Sequence, residues 1–446
     1  MTETGPSVYH SVTLDPDKCR GCTTCLKHCP TEAIRVRKGK ARILDERCVD
    51  CGQCIRVCPS GAKLAVPDPM SLLKEYRYRV AIPAPSLYGQ FDERFSVNRI
   101  LSGLLALGFD EVFEAARAAE LAAEATAAWI REAGPGPWIS SSCPAVVKLI
   151  QIRFPSLLER LVPLASPMEL AARLVKEILH PGRRGLGVFF ISPCAAKVTA
   201  ARHPQGAGRS AVDGVLGIRD VYLPLRNVLS GTPERPLARA GCRGIAWARV
   251  DGESDAVGIP GSISVDGISD VIGILEALEN GKIRDVAFIE AMACPAGCVG
   301  GPLTVENPYI AKTRIRNREA RTPVPSGRPE PGLEGFSDYG WSAPPPARSV
   351  LRLDPDVARA LVMAEEMEIL AEGLPGLDCG SCGAPTCRAL AEDIVRGVAV
   401  ETDCVFKLRE RVRDLAAELV SLERLQPPGL DTGEDSREPR TPGSTF

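Results

Sequence analysis

The sequence predicts a multidomain α/β protein with cysteine-rich modules at both ends. Three observations support this prediction: a cysteine run is repeated within residues 15–63, apolar segments alternate with helical patterns over 78–310, and a further cysteine group follows a stretch rich in proline and glycine at 302–348. A chain of 446 residues is long enough for two or three domains. We expect a small N-terminal α+β module (1–69), a central two-lobed α/β domain and a small helical C-terminal domain.

The composition argues against several functional classes. Hydrophobic residues make up 45% of the chain, which is ample for a packed core, and a formal net charge of −2 gives no electrostatic basis for binding nucleic acid. The sequence contains no apolar run long enough to span a bilayer. Met1–Leu14 is polar and lacks a signal-peptide core, so we expect a cytoplasmic protein. The 17 cysteines then indicate metal sites rather than disulfides.

Residues 15–63 contain the same cysteine run twice. Each copy has the spacing C-x2-C-x2-C-x3-C-P. This run is typical of bacterial ferredoxins with two 4Fe-4S clusters, in which the fourth cysteine of each run ligates the other cluster. Zinc is the alternative, but it does not explain why the complete pattern occurs twice. We predict an electron-transfer module with two 4Fe-4S clusters, one held by Cys19, Cys22, Cys25 and Cys58 and the other by Cys48, Cys51, Cys54 and Cys29.

The central segment repeats an arrangement in which an apolar strand precedes a cysteine. A first predicted strand, Arg79–Ile82, ends in a tight turn, and predicted helices follow at Ile100–Leu107 and Asp110–Arg131. Because α/β sheets bind ligands at the carboxyl ends of their strands, we expect the following cysteines to hold one composite iron cluster. The three further strands and their cysteines are Trp138–Ile139 before Cys143, Gly187–Ile191 before Cys194, and Val286–Glu290 before Cys294 and Cys298.

The C-terminal part of the chain is predicted to begin with a semi-rigid linker at 311–350, which contains Pro344-Pro345-Pro346. A helix is predicted at 354–372, inside a small domain over 351–406. Four cysteines in this domain suit one further 4Fe-4S cluster, and zinc remains an alternative because four thiolates also satisfy its tetrahedral geometry. They are Cys379, Cys382, Cys387 and Cys404.

Residues 407–425 show a heptad pattern of apolar side chains. The spacing of 4-3-4-3 favours a coiled coil with a second copy or a partner protein, or a helix packed on its own domain. The seam consists of Leu408, Val412, Leu415, Leu419 and Leu422. Residues 426–446 have almost no apolar content and are predicted to be disordered. Cys242 lies apart from the other cysteines, and we expect it to be a small buried hydrophobic residue.

Residues 78–310 resemble the H-domain of the iron-only (FeFe) hydrogenases. The resemblance is carried by three signature stretches that occur in order, Ser140–Pro144, Ser192–Lys197 and Glu290–Cys298, and it extends to the ferredoxin module in front of them. The C-terminal four-cysteine domain is similar to the iron–sulfur domain of sensory members of that family. The resemblance implies an H-cluster, which is a 4Fe-4S cluster joined to a di-iron subsite that carries CO and cyanide.

The resemblance also implies roles for individual residues. Lys197 matches the lysine that hydrogen-bonds a cyanide ligand, and a buried ammonium needs such an anionic partner. Cys298 would bridge the 4Fe part to the di-iron subsite. Met292 would pack against that subsite, and the loop of Ala84, Pro85 and Ser86 would contact it. The four implied ligands of the 4Fe part are Cys143, Cys194, Cys294 and Cys298.

Several positions depart from the catalytic members of the family. Ser142 stands where those members have a cysteine that relays protons, and a hydroxyl is a much weaker acid than a thiol. By ungapped counting, a relay glutamate falls at Ala125 and a relay serine at Val162, and neither side chain can donate or accept a proton. Glu124 would point elsewhere if its segment is helical. Further departures occur at Ser192, Ala200 and Met168.

These departures predict a cluster site that is kept for sensing rather than for fast turnover. We therefore expect a sensory or regulatory hydrogenase of low turnover, in an anaerobic setting. The alternatives are a catalytic ferredoxin-linked hydrogenase of modest rate and an electron-transfer protein that lacks the di-iron subsite. Expected partners are ferredoxin or another redox protein, the hydrogenase maturation proteins, and either a signalling partner or a second copy bound through residues 408–422.

Overall fold

A computed structural model describes residues 10–323, 339–348 and 350–425 of the chain. These residues belong to two compact units, of which the first ends at Arg352 and the second begins at Leu353. None of the helices in the described ranges is long and apolar enough to cross a membrane. The predicted disordered tail, 426–446, lies outside the described residues.

The N-terminal module is an α+β structure built from two similar halves, as predicted. Strand β1 (Val12–Leu14) pairs antiparallel with β4 (Lys63–Ala65), and β2 (Ile34–Arg37) pairs antiparallel with β3 (Lys40–Ile43). Each half contributes one short helix that carries the third cysteine of its run, in α1 (Thr24–Lys27) and α2 (Gln53–Arg56).

The central domain contains a parallel sheet in the strand order β6-β5-β8-β9. Its strands are β5 (Tyr78–Pro83), β6 (Glu111–Val112), β8 (Leu186–Ser192) and β9 (Gly214–Gly217). Nearly every residue of β8 is buried, which is typical of a parallel strand covered on both faces. Helices along this part of the chain are α3 (Ser86–Gly89), α4 (Val97–Ala106), α5 (Ala115–Ala133), α7 (Pro167–Arg173), α9 (Ile218–Leu229) and α10 (Cys242–Ala246).

A second parallel sheet has the strand order β10-β11-β7. It consists of β7 (Trp138–Ile139), β10 (Ser262–Asp266) and β11 (Phe288–Met292). The remaining helices of the first unit are α6 (Pro144–Arg153), α8 (Ala195–Arg202), α11 (Gly252–Val257), α12 (Ile268–Glu279) and α13 (Pro308–Arg321). The two sheets account for the two-lobed α/β domain that the sequence predicts.

Two predicted helices have different boundaries in the structure. The segment expected as one helix over Asp110–Arg131 begins as strand β6, because Glu111 pairs with Val80 of β5, and α5 starts only at Ala115. Pairing at the sheet edge overrides the local helical preference there. Helix α4 begins at Val97, since the Ser96 hydroxyl accepts a hydrogen bond from the Arg99 amide at 3.0 Å and caps it.

The predicted linker over 311–350 is wrong in its first part, where helix α13 continues to Arg321. Ala311 and Ile315 are fully buried on one side of this helix, and Asn307 caps its first turn. The helix is rich in arginine and has only a narrow apolar stripe. Its composition therefore resembles that of a linker, which is why a linker was predicted. Cys242 is half-buried at the start of α10, so the prediction of a fully buried residue is also wrong.

A buried carboxylate joins the N-terminal module to the central domain. Asp50, which lies between Cys48 and Cys51, accepts hydrogen bonds from Lys148 at 2.9 Å and from Thr199 at 2.8 Å. Lys148 belongs to α6 and Thr199 to α8. The Asp50 side chain is fully buried and that of Lys148 is 7% exposed, so each charge depends on the other for its stability. The second half of the module is thereby fixed against these two helices.

The second unit contains the helices α14 (Val357–Gly373), α15 (Cys387–Val395) and α16 (Val405–Glu423). The predicted helix at 354–372 corresponds to α14, whose first turn is capped by Asp356. The Thr386 hydroxyl caps α15 in the same way. Met367, Leu374 and Leu390 contribute to a small apolar core.

Candidate metal centre

One cavity of about 770 Å³, counting the space open to solvent, collects every cysteine of the central domain except Cys242. It lies at the carboxyl ends of strands from both sheets, where α/β proteins bind ligands. Its wall is mainly apolar, with few polar side chains, and its volume suits a cofactor. The cysteines on this wall are Cys143, Cys194, Cys294 and Cys298.

Secondary structure places these thiols at the cavity. Cys143 precedes the first residue of α6 and Cys194 precedes the first residue of α8, so the positive end of each helix dipole faces a thiol. Cys294 follows the end of β11, and Cys298 opens a short 3-10 turn. Helix N-termini favour the thiolate form, which is the form that binds metal.

The electrostatics of the cavity disfavour free thiolates. Burial raises the pKa of Cys298 to about 12, against the lowering effect of the Lys197 ammonium. Burial likewise raises the pKa values of Cys194 and Cys294, and in both the charges of neighbouring cysteines add to the rise. Clustered thiols with raised pKa values lose their protons when a metal takes the negative charge. The donor set therefore fits a thiolate-ligated iron cluster.

A glycine shapes the loop between the last two cysteines. Gly297 has a φ of 90°, and a Cβ there would lie 2.5 Å from the Val250 amide nitrogen. Only glycine combines this left-handed conformation with so close an approach to another backbone segment. The loop can therefore turn Cys294 and Cys298 toward the same cavity.

Two polar groups on the wall have unused hydrogen-bonding capacity. The Ser86 hydroxyl is fully buried and has no hydrogen-bond partner within the described part of the chain. The buried Lys197 ammonium donates to the Ser142 carbonyl at 3.2 Å, and an ammonium has further N–H donors. Buried polar groups of this kind need a partner, so the cavity fits a ligand with polar or anionic groups. Ala84, Pro85 and Met292 also line the cavity, as the sequence comparison implied.

A chain of hydroxyl and carboxyl groups begins at Ser142. Its hydroxyl donates to Glu253 Oε1 at 3.0 Å, and the Ser140 hydroxyl donates to the same oxygen at 2.6 Å. Glu253 lies on the cavity wall and is close enough to Glu290 for the two charges to interact. Glu290 Oε2 in turn accepts a hydrogen bond from the half-buried Ser264 at 3.2 Å.

Both carboxyl groups have pKa values suited to proton exchange near neutral pH. Burial raises the pKa of Glu253 to about 7, although hydrogen bonds from Ser140 and Ser142 lower it. Burial, and after it the charge of Glu253, raises the pKa of Glu290 to about 8. Groups that can hold or release a proton at the working pH are effective proton carriers.

Glu253 on the cavity wall and the neighbouring Glu290 are groups able to carry protons, and the departures at Ala125 and Val162 did not predict them. Position-by-position comparison missed Glu253 and Glu290, since they lie on α11 and β11 rather than at the expected positions. Glu124 is exposed on α5, as expected for a helix. Among the other departures, Met168 lines the cavity, and the Ser192 hydroxyl bonds both the amide and the carbonyl of Cys194.

The cysteines of the N-terminal module line two smaller pockets. One collects Cys19, Cys22, Cys25 and Cys58, and the other collects Cys29, Cys48, Cys51 and Cys54. In each pocket the fourth cysteine comes from the other half of the repeat, as the spacing predicts. The amides of Ala33 and Ala62 donate to the sulfur atoms of Cys29 and Cys58 respectively, at 3.2 Å in both cases.

Lys63 is an unusual member of the first of these pockets. Its side chain is 1% exposed, and its ammonium has no hydrogen-bond partner among residues 10–323, 339–348 and 350–425. Burial of an unpaired ammonium is costly, so the pocket fits an anionic group. A cluster held by four thiolates is such a group.

The second unit contains a further cysteine pocket. Asp378 accepts a hydrogen bond from the Cys387 amide at 2.6 Å, which fixes the start of α15 near the pocket. The pocket is lined by the four predicted ligands, Cys379, Cys382, Cys387 and Cys404.

A thiol-lined cavity of this kind, with two ferredoxin-type pockets in the same unit, defines an iron–sulfur protein. Residues 77–302, just over half of the chain, match the family model of the iron only hydrogenase large subunit, C-terminal domain. The chain therefore belongs to the iron-only (FeFe) hydrogenase family. Residues 10–62 match a 4Fe-4S dicluster domain, and 374–406 match an Fe-S cluster domain, which favours iron–sulfur over zinc in the second unit.

Curated relatives include hydrogenases from several bacteria. The chain is 29% identical over 249 residues to the periplasmic [Fe] hydrogenase large subunit of Nitratidesulfovibrio vulgaris, covering 48% of this chain and 58% of the relative. It is 30% identical over 247 residues to iron hydrogenase 1 of Clostridium pasteurianum, covering 47% and 43%. The chain thus spans about half the length of these relatives.

Solved structures similar to this chain are also [FeFe]-hydrogenases. A variant of HydA1 from Chlamydomonas reinhardtii has 16% sequence identity and a TM-score of 0.48, covering 64% of this chain and 97% of that one. A HydA structure that reports on stepwise H-cluster assembly has the same identity and coverage and a TM-score of 0.46.

Proposed function

We propose that this protein binds an H-cluster in the cavity of the central domain and interconverts hydrogen with protons and electrons at a low rate. One observation carries the proposal: four cysteines share this cavity with the Ser86 hydroxyl and the Lys197 ammonium, which both have donors to spare. Thiols alone would suit a simple 4Fe-4S cluster. The two polar groups favour the additional cyanide-bearing subsite, because cyanide is an anionic acceptor.

The bound H-cluster would supply the heterolytic splitting of hydrogen, which yields two protons and two electrons. The four cysteines would hold its 4Fe part, while Lys197 and Ser86 would hold the cyanide ligands in place. The apolar side chains of the wall would exclude water from the reacting centre. Met168 and Met292 belong to that wall.

Protons would leave the site through side chains of this chain. The Ser142 hydroxyl would take the proton and pass one to Glu253, which its hydrogen bond already reaches. Glu290 and then Ser264 would continue the path toward the surface, since Ser264 is half-buried. The hydroxyl of Ser142 is a much weaker acid than the two carboxyl groups, and since it would take the proton first it would limit the rate.

Electrons would leave through the clusters of the N-terminal module. The pocket with Cys48 and Cys51 flanks Asp50, which is bonded to α6 and α8, and these helices start at Cys143 and Cys194. Arg56 of the same half donates to the Gly300 carbonyl at 2.8 Å, beside Cys298. A ferredoxin or similar redox protein would receive the electrons, and the hydrogenase maturation proteins would install the di-iron subsite.

A low rate suits a sensory or regulatory protein better than a metabolic hydrogenase. The serine at position 142 and the additional cysteine unit beyond Leu353 both support this role, because a sensor needs an output module more than turnover. A working hydrogenase of modest rate is the second candidate, and the carboxyl path of Glu253 and Glu290 favours it. An electron-transfer protein without the di-iron subsite would leave the donors of Ser86 and Lys197 unexplained.

The proton path is tested by the substitution Glu253→Gln in the matured protein. The amide keeps the size of the side chain but cannot pass on a proton as a carboxylic acid does, so hydrogen turnover is expected to fall by at least tenfold. Glu124→Gln, which changes an exposed carboxyl on α5, is the control and leaves turnover unchanged. Parental turnover in Glu253→Gln, with unchanged infrared bands of the cofactor, would contradict the proposed path.

The low rate is tested by the substitution Ser142→Cys. A thiol has a pKa of about 8.5, far below that of an aliphatic hydroxyl, so it relays protons more readily. Turnover is expected to rise by at least tenfold over the parent, measured as hydrogen evolution from a chemical reductant. If the parent already equals Ser142→Cys, the sensory interpretation fails and the working hydrogenase is favoured.

A further inference from the structure

Helix α16 carries an apolar seam that has no partner in the described chain. All of its residues from Leu408 onward are exposed, and the seam side chains are between 41% and 62% exposed. The interpretation of α16 as a helix packed on its own domain therefore does not fit the described residues. The seam consists of Leu408, Val412, Leu415, Leu419 and Leu422, in heptad spacing.

We propose that α16 pairs with α16 of a second copy of this chain, in antiparallel orientation. The charges beside the seam decide the orientation. Two parallel helices would place Glu418 of each copy next to Glu423 of the partner, which repel each other. Arg411, the other charged residue at the same heptad position as Glu418, would meet only Ala416 of the partner in that arrangement.

The antiparallel arrangement removes this repulsion. If Leu408 packs beside Leu419 of the partner, and Val412 beside Leu415 of the partner, four of the five seam residues pair with one another. Leu422 then packs beside Val405 of the partner, at the start of the helix. In the same register Arg411 lies beside Glu418 of the partner, and symmetry forms this pair twice. The helix flank is therefore complementary to itself only when one copy is reversed.

The ion pairs would set the orientation, whereas the apolar seam would hold the helices together. An exposed pair of this kind is worth about 0.2–1 kcal/mol, and a seam of roughly two heptads is short. A dimer that forms at micromolar or higher concentration is therefore expected. Because the cluster ligand Cys404 lies directly before α16, the two C-terminal pockets would lie at opposite ends of a helix pair about 28 Å long.

Sedimentation velocity of the full chain without oxygen, over a range of concentrations, tests this proposal. The parent is expected to dimerise, and Glu418→Arg to raise the dissociation constant by about tenfold or more, because two attractions become repulsions. The double variant Arg411→Glu with Glu418→Arg restores the parental value. Asp414→Arg, which makes the same charge change on the outer face of the helix, is the matched control.

Two results would overturn the antiparallel pairing. If Glu418→Arg tightens the dimer, the helices are parallel, since that change relieves the repulsion from Glu423. If the parent stays monomeric at all concentrations, the seam is covered by another part of the chain or by a different protein.

A second inference comes independently from the internal repeat of the N-terminal module. Ala33 and Ala62 occupy equivalent positions, since each donates its amide to the fourth cysteine of its run at 3.2 Å. The residue that follows is Ile34 in the first half and Lys63 in the second. Ile34 is 2% exposed and Lys63 is 1% exposed, so a charged side chain fills a core position of the repeat.

The charge of Lys63 belongs to one of the two cysteine pockets. Lys63 lines the pocket of Cys19, Cys22, Cys25 and Cys58, whereas its counterpart Ile34 lines the pocket of Cys29, Cys48, Cys51 and Cys54. Since the Lys63 ammonium has no partner among the residues that the structure describes, the anionic cluster of its own pocket is the group left to balance it.

We infer that Lys63 raises the reduction potential of the cluster held by Cys19, Cys22, Cys25 and Cys58. Each reduction adds one electron, and hence one negative charge, to a cluster that four thiolates already make anionic. A nearby ammonium stabilises the reduced form more than the oxidised form. The module would then accept electrons readily and favour hydrogen oxidation over evolution, a consequence that rests on the proposed function.

The potentials themselves can be measured without the H-cluster, in the full chain expressed without maturation proteins. A redox titration followed by electron paramagnetic resonance gives the midpoint of each cluster. Lys63→Met is expected to lower the reduction equilibrium constant of the Cys19–Cys58 cluster at least tenfold, which is 59 mV for a one-electron couple. The other cluster, whose pocket is lined by Ile34 and not by Lys63, is expected to shift less.

Two controls separate charge from structure. Lys63→Arg keeps the charge and should stay near the parental midpoint. Lys18→Met removes a charge next to Cys19, but the Lys18 side chain is 57% exposed, so solvent screens its charge. In this variant the reduction equilibrium constant is expected to change by less than tenfold. If Lys63→Met lowers iron content, Lys63→Ile, which copies the first half of the repeat, replaces it. Parental midpoints in Lys63→Met and Lys63→Ile would overturn the inference, whatever the hydrogenase activity.

Discussion

The structure depends on holding four thiols, delivered by separate stretches of chain, around one cavity. Cys143, Cys194 and Cys294 follow strands of two different sheets, so neither sheet could form the site alone. Burial and mutual repulsion make Cys194, Cys294 and Cys298 poor thiolates until a metal takes their charge. The two lobes are therefore tied by the cluster that they bind, and the fold and the cofactor stabilise each other.

A buried ion pair connects the N-terminal module to this site. Asp50 is fully buried and satisfied by Lys148 and Thr199, on the two helices that begin at cluster-binding cysteines. Removing one partner of a buried pair leaves an uncompensated charge, which costs about 3–5 kcal/mol. The pair thus fixes the module against the domain whose electrons it would carry, and Lys63 would tune how readily the module accepts them.

Most of the cysteine pockets could be predicted from the sequence, because cysteine spacing is a local pattern with few interpretations. The repeated run over 15–63 predicted which cysteines share each of the two pockets of the N-terminal module. The cysteines that follow three strands predicted the cavity of the central domain. Glu253 and Glu290 could not be found in that way, since their role depends on which side chains meet across the cavity. Helix α13 was missed because a narrow apolar stripe on an arginine-rich helix has the composition of a linker.

Infrared spectroscopy of the matured chain tests the central claim most directly, because iron-bound CO and cyanide absorb where proteins do not. The chain, produced with the maturation proteins, is expected to show bands of both ligands that change when hydrogen replaces an inert gas. Full iron loading without such bands would contradict the account, since the donors of Ser86 and Lys197 would then have no cyanide to bind.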